Sequence, residues 1–152
     1  MEEYQDKKGK KVFRCVLYWL AQFTWGIIMN IIGGIGALAL LISGHKPYIF
    51  HYAVCFEFGE NWGGVSLGGF CFYNKTDGMH VKCHEHGHGY QNIMFGVLFP
   101  IIIAIPSAIR CAYYNHVSDK HPEKYVSLSP YDSIWFEGMA TRLGYRYCKD
   151  EL

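Results

Sequence analysis

The chain has 152 residues, which is enough for one domain with a hydrophobic core and too few for two domains of ordinary size. Its formal net charge is +1, so it lacks the basic field of a nucleic-acid-binding protein, and nucleic acid is excluded as an expected partner. Charged residues make up only 18% of the chain and aromatic residues 17%, a balance that favours a protein with part of its surface in lipid.

The first predicted element is a transmembrane helix over residues 16–43. This segment contains no charged residue and is longer than the ~20 residues that span a bilayer as a helix. It is too long for a cleaved signal peptide, and no small-x-small cleavage site follows it cleanly. The preceding residues 1–15 carry a cluster of basic side chains, Lys7, Lys8, Lys10, Lys11 and Arg14. By the positive-inside rule, this cluster predicts a cytoplasmic N-terminus.

Two aromatic and β-branched segments, residues 48–58 and 65–73, follow the first helix and are separated by turn residues. They predict a short antiparallel β-hairpin or meander. The six cysteines form no C-x-x-C pair, so we interpret them as buried thiols and not as a zinc knuckle or a disulfide framework. A bridge between Cys55 and Cys71 across the hairpin is the less favoured alternative.

The most informative pattern is His84-Glu85-His86-Gly87-His88, an HExxH motif within a segment of helical spacing over residues 79–92. Residues four apart lie on one face of a helix, so His84 and His88 can bind one metal ion. Glu85, on the adjoining face, could take a proton from metal-bound water. Gln91 and Asn92 could donate or accept hydrogen bonds that orient a ligand, or could simply be polar helix surface.

The segment 93–109 is apolar but is interrupted by Gly96, Pro100 and Pro106. It predicts a Pro-broken helix, and the sequence leaves open whether this helix crosses the membrane, re-enters it or is buried. If both apolar segments crossed fully, His84 and residue 137 would lie on opposite membrane faces. At least one of the two segments is therefore expected not to cross in a simple way.

Residues 110–130 are polar and predict a loop with some helical turns, after which Asp132 or Ser133 can cap a last helix that reaches about residue 145. Glu137 is the only carboxylate inside that helix. A solvent-facing glutamate is one interpretation of this residue. Beside an HExxH motif without a further histidine ligand downstream, Glu137 is also the leading candidate for a third metal ligand.

Four stretches, WGGVSLGGF, HEHGHGYQNIMFGVLFP, IPSAI and WFEGMAT, together resemble a group of small, largely uncharacterised bacterial membrane proteins regarded as zinc peptidases. The likeness covers roughly residues 50–145, in one order and with compatible gaps. More broadly, the layout is similar to that of gluzincins, in which a hairpin precedes an HExxH helix and a later helix provides a glutamate. The chain departs from the group's pattern at His86, where an aromatic residue is more usual, and at Val97, where proline is expected.

The resemblance implies that His84, His88 and Glu137 bind one Zn²⁺ ion and that Glu85 is the general base. The implied fold is an α+β membrane protein with a minimal gluzincin-like core at residues 48–147, including the second apolar segment, and a short tail at residues 148–152. No motif identifies the group that stabilises the oxyanion. The candidates are Tyr90, Tyr131 and Tyr145.

The resulting hypothesis is a membrane-associated zinc metallopeptidase whose Glu85 activates a zinc-bound water for peptide hydrolysis. Residues 65–73 could bind the peptide as an added strand, or could merely cover the site. One alternative is a non-catalytic metal-binding or metal-handling membrane protein that uses the repeated His80, His84 and His88. Another is an inert membrane interaction protein in which the histidines only cap and pack.

The bacterial resemblance predicts a location in the bacterial cytoplasmic membrane. The tetrapeptide KDEL at residues 149–152 and the Asn74-Lys75-Thr76 sequon instead fit the endoplasmic reticulum of a eukaryote. Because both patterns are short, we treat that location as the minor alternative.

Overall fold

A computed structural model describes residues 2–60 and 62–148, with side chains from residue 9 onward. The KDEL tetrapeptide at residues 149–152 lies outside the described residues. The helices are α1 (Glu2–Thr24), α2 (Ile27–Ile42), α3 (Met79–Phe95), α4 (Ile105–Lys120), α5 (Pro122–Tyr125) and α6 (Trp135–Tyr147). The strands are β1 (Tyr48–Phe50), β2 (Ala53–Glu57), β3 (Gly64–Leu67) and β4 (Phe70–Tyr73). The predicted α+β class is confirmed.

The apolar N-terminal segment forms two helices that meet at 100°. The bend lies at Gly26, where the side-chain amide of Asn92 donates hydrogen bonds to the Gly26 carbonyl at 3.0 Å and to Gln22 Oε1 at 2.6 Å. A Cβ atom on Gly26 would overlap this amide, so only glycine permits the approach. The predicted single helix over residues 16–43 is therefore wrong, because a buried polar contact with α3 breaks it.

Among the described residues, no single helix is both long and apolar enough to cross a membrane. Two bent helix pairs satisfy the length and composition together: α1 with α2, and residues 79–98 with residues 100–120, which are bent by 119°. The second bend corresponds to the predicted Pro-broken segment. Gly96, at a φ of 54°, ends α3, and a 3₁₀ turn (Gly96–Leu98) and a π-helix (Pro100–Ala104) precede α4.

The four strands form one sheet in the order β1-β2-β4-β3. The outer pairs are antiparallel, but the central pair, β2 with β4, is parallel. The simple hairpin or meander that the sequence predicted is therefore wrong in its pairing. The first predicted strand turns back at His51, whose φ is 55°, and the second turns back at Gly68-Gly69. Cys55 and Cys71 are register partners, and both are buried free thiols.

The sheet lies between α2 and α3. Phe56 and Phe72 pack on the α2 side, whereas Cys71 and Tyr73 pack toward α3 and α6. The helix α6 crosses α3 at very short range, because Gly87 of α3 faces the Ala140 carbonyl and Gly144 of α6 faces the carbonyl of residue 83. This crossing places the carboxylate of α6 beside the histidines of α3.

We predict that Gly87→Ala lowers the free energy of unfolding by about 2–4 kcal/mol, because the new Cβ would overlap the Ala140 carbonyl and force the helices apart. The measurement is chemical or thermal unfolding of the purified protein. Gly34→Ala, also inside a helix, is the matched control, since a Cβ there meets only the Phe70 ring at an ordinary contact distance of 3.8 Å. Equal stability of the two variants would contradict the close crossing.

Candidate metal centre

Three buried side chains from two helices converge on one point. Glu137 Oε2 lies 3.1 Å from His84 Nε2 and 3.2 Å from His88 Nε2. One ligand atom from each residue lies within 4.8 Å of the others, close enough for all three to hold one metal ion. The i,i+4 spacing on α3 aims both imidazoles at the same side of the helix, and α6 supplies the carboxylate.

The Nδ1 atom of each histidine is hydrogen-bonded to a side chain whose other hydrogen bond shows that it accepts at this contact. The Thr141 hydroxyl donates to Asp132 Oδ2 at 2.5 Å, so its oxygen accepts the proton of His84 Nδ1 at 2.8 Å. Gln91 Nε2 donates to the backbone carbonyl of residue 136, which turns Gln91 Oε1 toward His88 Nδ1 at 2.7 Å. Both networks therefore place a proton on Nδ1 and leave Nε2 facing Glu137.

This assignment shows that the donor set fits a metal cation. In neutral imidazoles with Nδ1 protonated, the two Nε2 lone pairs point toward a carboxylate oxygen, and three acceptors meet with no donor between them. Such an arrangement is favourable only with a cation or with protons on the imidazoles. The buried group His84, His88 and Glu137 could thus hold a metal ion, and its two nitrogens and one oxygen are ligands that Zn²⁺ accepts.

The electrostatics of the group favour a charged carboxylate beside the imidazoles. When no cation is bound, protons on the imidazole Nε2 atoms take its place. Burial then raises the pKa of Glu137, but the hydrogen bonds that His84 and His88 donate outweigh this effect and hold that pKa well below its usual range. Burial lowers the pKa of His88, and the hydrogen bond to Glu137 more than compensates, so the net pKa of His88 is raised. Negative charge is therefore retained at the point where the three side chains meet.

Glu85 is buried next to this group, on the adjoining face of α3. Its side chain approaches β3: a Cβ on Gly64 would lie 2.9 Å from Glu85 Cγ and 3.3 Å from Oε1. Burial raises the pKa of Glu85, and the nearby His88 and His84 lower it only in part. A carboxylate with a raised pKa is a stronger base, which suits proton transfer near neutral pH.

Of the three tyrosines considered as oxyanion donors, only Tyr131 contacts the metal-binding group. Its hydroxyl lies 3.3 Å from Glu137 Oε1. Tyr145 is instead hydrogen-bonded to His80 Nδ1 at 2.9 Å, and Tyr90 stacks on Tyr147 with ring centroids 4.1 Å apart. Among the three candidate oxyanion donors, Tyr131 is therefore the one that lies beside the metal-binding group.

The remaining histidines of α3 do not join the group. His80 is largely exposed and lies 4.0 Å from Asp132 Oδ2. His86 is fully buried on the opposite face of the helix, with Nε2 3.0 Å from His51 Nδ1, and burial lowers its pKa to about 3. Within the part of the chain that the structure describes, the repeat of three histidines thus forms no metal group of its own.

The sequence analysis missed Thr141 and Asp132 as contacts of the site. Thr141 follows Glu137 by four residues, so the same helical spacing that linked the two histidines could have indicated it. Asp132, expected as a helix cap, instead accepts the Thr141 hydroxyl, and α6 begins without a side-chain cap. Of the two polar residues after the motif, Gln91 does contact a histidine, whereas Asn92 forms the bend between α1 and α2.

Comparison of the chain with protein-family models, with curated proteins and with solved structures finds no match. The resemblance to bacterial zinc peptidases therefore stays a prediction from the motifs.

We predict that Thr141→Val weakens Zn²⁺ binding by about 10- to 100-fold, because the His84 ring loses the hydroxyl that fixes its tautomer and orientation. The measurement is competition with a chromophoric chelator. Thr141→Ser keeps the hydroxyl and is expected to bind zinc nearly as tightly as the original chain. Unchanged affinity in the valine variant would show that this hydroxyl does not orient the ligand.

Proposed function

We propose that this chain is a membrane-associated, zinc-dependent metallopeptidase. The observation that carries the proposal is the meeting of three lone-pair atoms, from His84, His88 and Glu137, with the buried carboxylate of Glu85 beside them. Three protein ligands leave one coordination position open, as in catalytic zinc sites, whereas structural sites use four. When bound, the zinc ion would supply Lewis acidity and lower the pKa of a coordinated water toward ~7.

Glu85 accepts the proton of the attacking water and returns it to the leaving amine. Its burial favours both steps, because a raised pKa makes the carboxylate a better base and its acid form a usable donor. Glu85 is not proposed as a fourth metal ligand, because residue 85 is turned about 100° from His84 around the helix axis and projects from a different face of α3. Tyr131, whose hydroxyl lies 3.3 Å from Glu137 Oε1, is the proposed donor to the developing oxyanion.

The edge strand β3 is the proposed peptide-binding element. It lies at the edge of the sheet and pairs only with β4 among the described strands, and we propose that its other edge accepts an added strand. The end of β3 at Gly64 adjoins Glu85, whereas the end at Leu67 is covered by α2 at Gly33. A substrate backbone would therefore be aligned along residues 64–66, with its scissile bond near Glu85.

Membrane association is supported by the exposed apolar surface of the helices. Monomeric soluble proteins rarely expose a contiguous apolar patch larger than a few hundred Å². Here α1 and α2 expose large apolar side chains along most of their length: Val12, Phe13, Val16, Leu17, Leu20, Phe23, Ile28, Ile31, Ile32, Ile35, Leu38, Leu41 and Ile42. The region around the second bend adds Leu98, Ile101, Ile105 and Ile109. We propose the bacterial cytoplasmic membrane as the location.

We predict that Glu85→Gln abolishes peptide hydrolysis, with a loss of about 10²- to 10⁴-fold or more, while one equivalent of zinc is retained. His84→Ala is expected to lose both zinc and activity, because a ligand is removed. The measurements are metal analysis of the purified full chain and mass-spectrometric detection of cleavage in a peptide library.

These variants also separate the peptidase from a metal-handling protein. If Glu137→Ala keeps stoichiometric zinc and no peptide is cleaved by the original chain, the metal-handling alternative replaces the peptidase. Absence of zinc from the original chain, after purification without chelators and reconstitution with the ion, would exclude both.

We predict that Ile35→Lys lowers partitioning into liposomes by about a hundredfold, because a charged side chain near the middle of an inserted helix costs roughly 2.5–3.5 kcal/mol. Ile35 is 66% exposed on α2. Liposome flotation of the full chain measures the effect. Ser43→Lys, at the exposed end of the same helix, is the control and is expected to bind liposomes like the original chain. A similar loss for both variants would show that α2 does not insert.

A further inference from the structure

A cavity of about 1060 Å³ lies on the face of α3 opposite the metal-binding group. Tyr90 and Ile93 form its wall on α3, and the helical spacing turns both roughly 120–180° away from His84 and His88. Tyr18 of α1, Tyr52 of the turn between β1 and β2, and Tyr147 at the end of α6 add to the aromatic lining. The cavity is therefore separated from the proposed catalytic site by the thickness of one helix.

Basic side chains line its rim. Lys10, Lys11 and Arg14 of α1 and Arg146 of α6 line it, and no described Asp or Glu does. Neither Arg14 nor Arg146 forms an ion pair with a carboxylate among the described residues. Arg14 lines the cavity together with Tyr90, and the Arg146 guanidinium lies 6.0 Å from the Tyr147 ring centroid. Two helices thus direct cationic groups toward the mouth of one aromatic cavity.

The interior and the surroundings of the cavity are apolar. Leu17, Ala21 and Ile93 line it together with the tyrosine rings. Leu17 is also 46% exposed, and Val16 and Leu20 beside it are exposed, so the cavity continues into the apolar outer surface of α1. Pockets for drug-sized ligands have volumes of about 300–1,000 Å³, so the cavity has room for a polar head group and part of an acyl chain.

We propose that this cavity binds an anionic phospholipid of the bilayer, with the phosphate at Arg14 and Arg146 and an acyl chain between the tyrosine rings and α1. Charge complementarity selects an anion, because Arg14 and Arg146 line the cavity and form no ion pair with a described carboxylate. Continuity with the apolar surface of α1 selects a molecule with a long apolar tail that enters from the membrane. A soluble phosphate compound satisfies only the first of these conditions.

The test is native mass spectrometry of the full chain in detergent, titrated with phosphatidylglycerol or with phosphatidylcholine of the same acyl chains. We expect one phosphatidylglycerol per chain, bound about tenfold more tightly than phosphatidylcholine, and not displaced by millimolar inorganic phosphate. The double variant Arg14→Gln/Arg146→Gln is expected to lose this preference. Arg142→Gln removes an exposed arginine one turn earlier on α6, outside the cavity, and is expected to keep it.

Ala21→Trp places a large ring inside the cavity and is expected to weaken binding of both lipids. Unchanged zinc binding would verify that this variant is folded. Equal binding of the two lipids by the original chain, or an equal effect of Arg142→Gln and the double variant, would overturn the proposal. Displacement by inorganic phosphate would identify a site for soluble anions instead. Because Glu85→Gln is expected to bind phosphatidylglycerol normally, this result is independent of peptidase activity.

Discussion

The close crossing of α3 and α6 is the constraint on which the rest of the structure depends. Two glycines, Gly87 and Gly144, let each helix touch the backbone of the other, and the helix axes come nearer than side chains would allow. Only at this separation does the short side chain of Glu137 reach both imidazoles. The same contact orders the surrounding network, because Thr141 and Gln91 lie at the interface and hold the histidines from the outside. The close crossing thus both packs the two helices and brings the three candidate metal ligands together.

Buried amides explain how so apolar a chain acquires a defined shape. Gln22 and Asn92 bond to each other at the bend between α1 and α2, and Gln22 also donates to the Gly89 carbonyl. Asn30 accepts the backbone N–H of Gly69 and so ties α2 to the sheet. Between apolar surfaces a hydrogen bond has direction while hydrophobic contact has none. These amides therefore fix where the helices bend and which face each presents to the sheet.

The sequence alone predicted the features that depend on local spacing. The helix carrying HExxH, the shared face of His84 and His88, and the isolated carboxylate of Glu137 follow from the 3.6-residue period and from the scarcity of charges in that region. The features it did not predict are tertiary. The bend at Gly26 depends on Asn92, which is distant in sequence. The parallel pairing of β2 with β4 depends on the turn at Gly68-Gly69, after which β4 inserts between β2 and β3. Gln22 and Asn30, two polar residues inside an apolar segment, were the signal in the sequence that could have indicated the bend.

The helix α4 connects the apolar surface to the chemistry of the site. Its first turns expose Ile105 and Ile109, and the next residue, Arg110, donates hydrogen bonds to the carbonyls of residues 130 and 131. This contact holds the segment that supplies Tyr131 and Asp132, which reach Glu137 and, through the hydroxyl of residue 141, the ring of His84. A displacement of α4 would therefore move a ligand contact and the proposed oxyanion donor together. We place the apolar start of α4 in lipid, so the same helix contacts the membrane and orders the site. Activity is therefore expected to depend on a bilayer or on a detergent that replaces it.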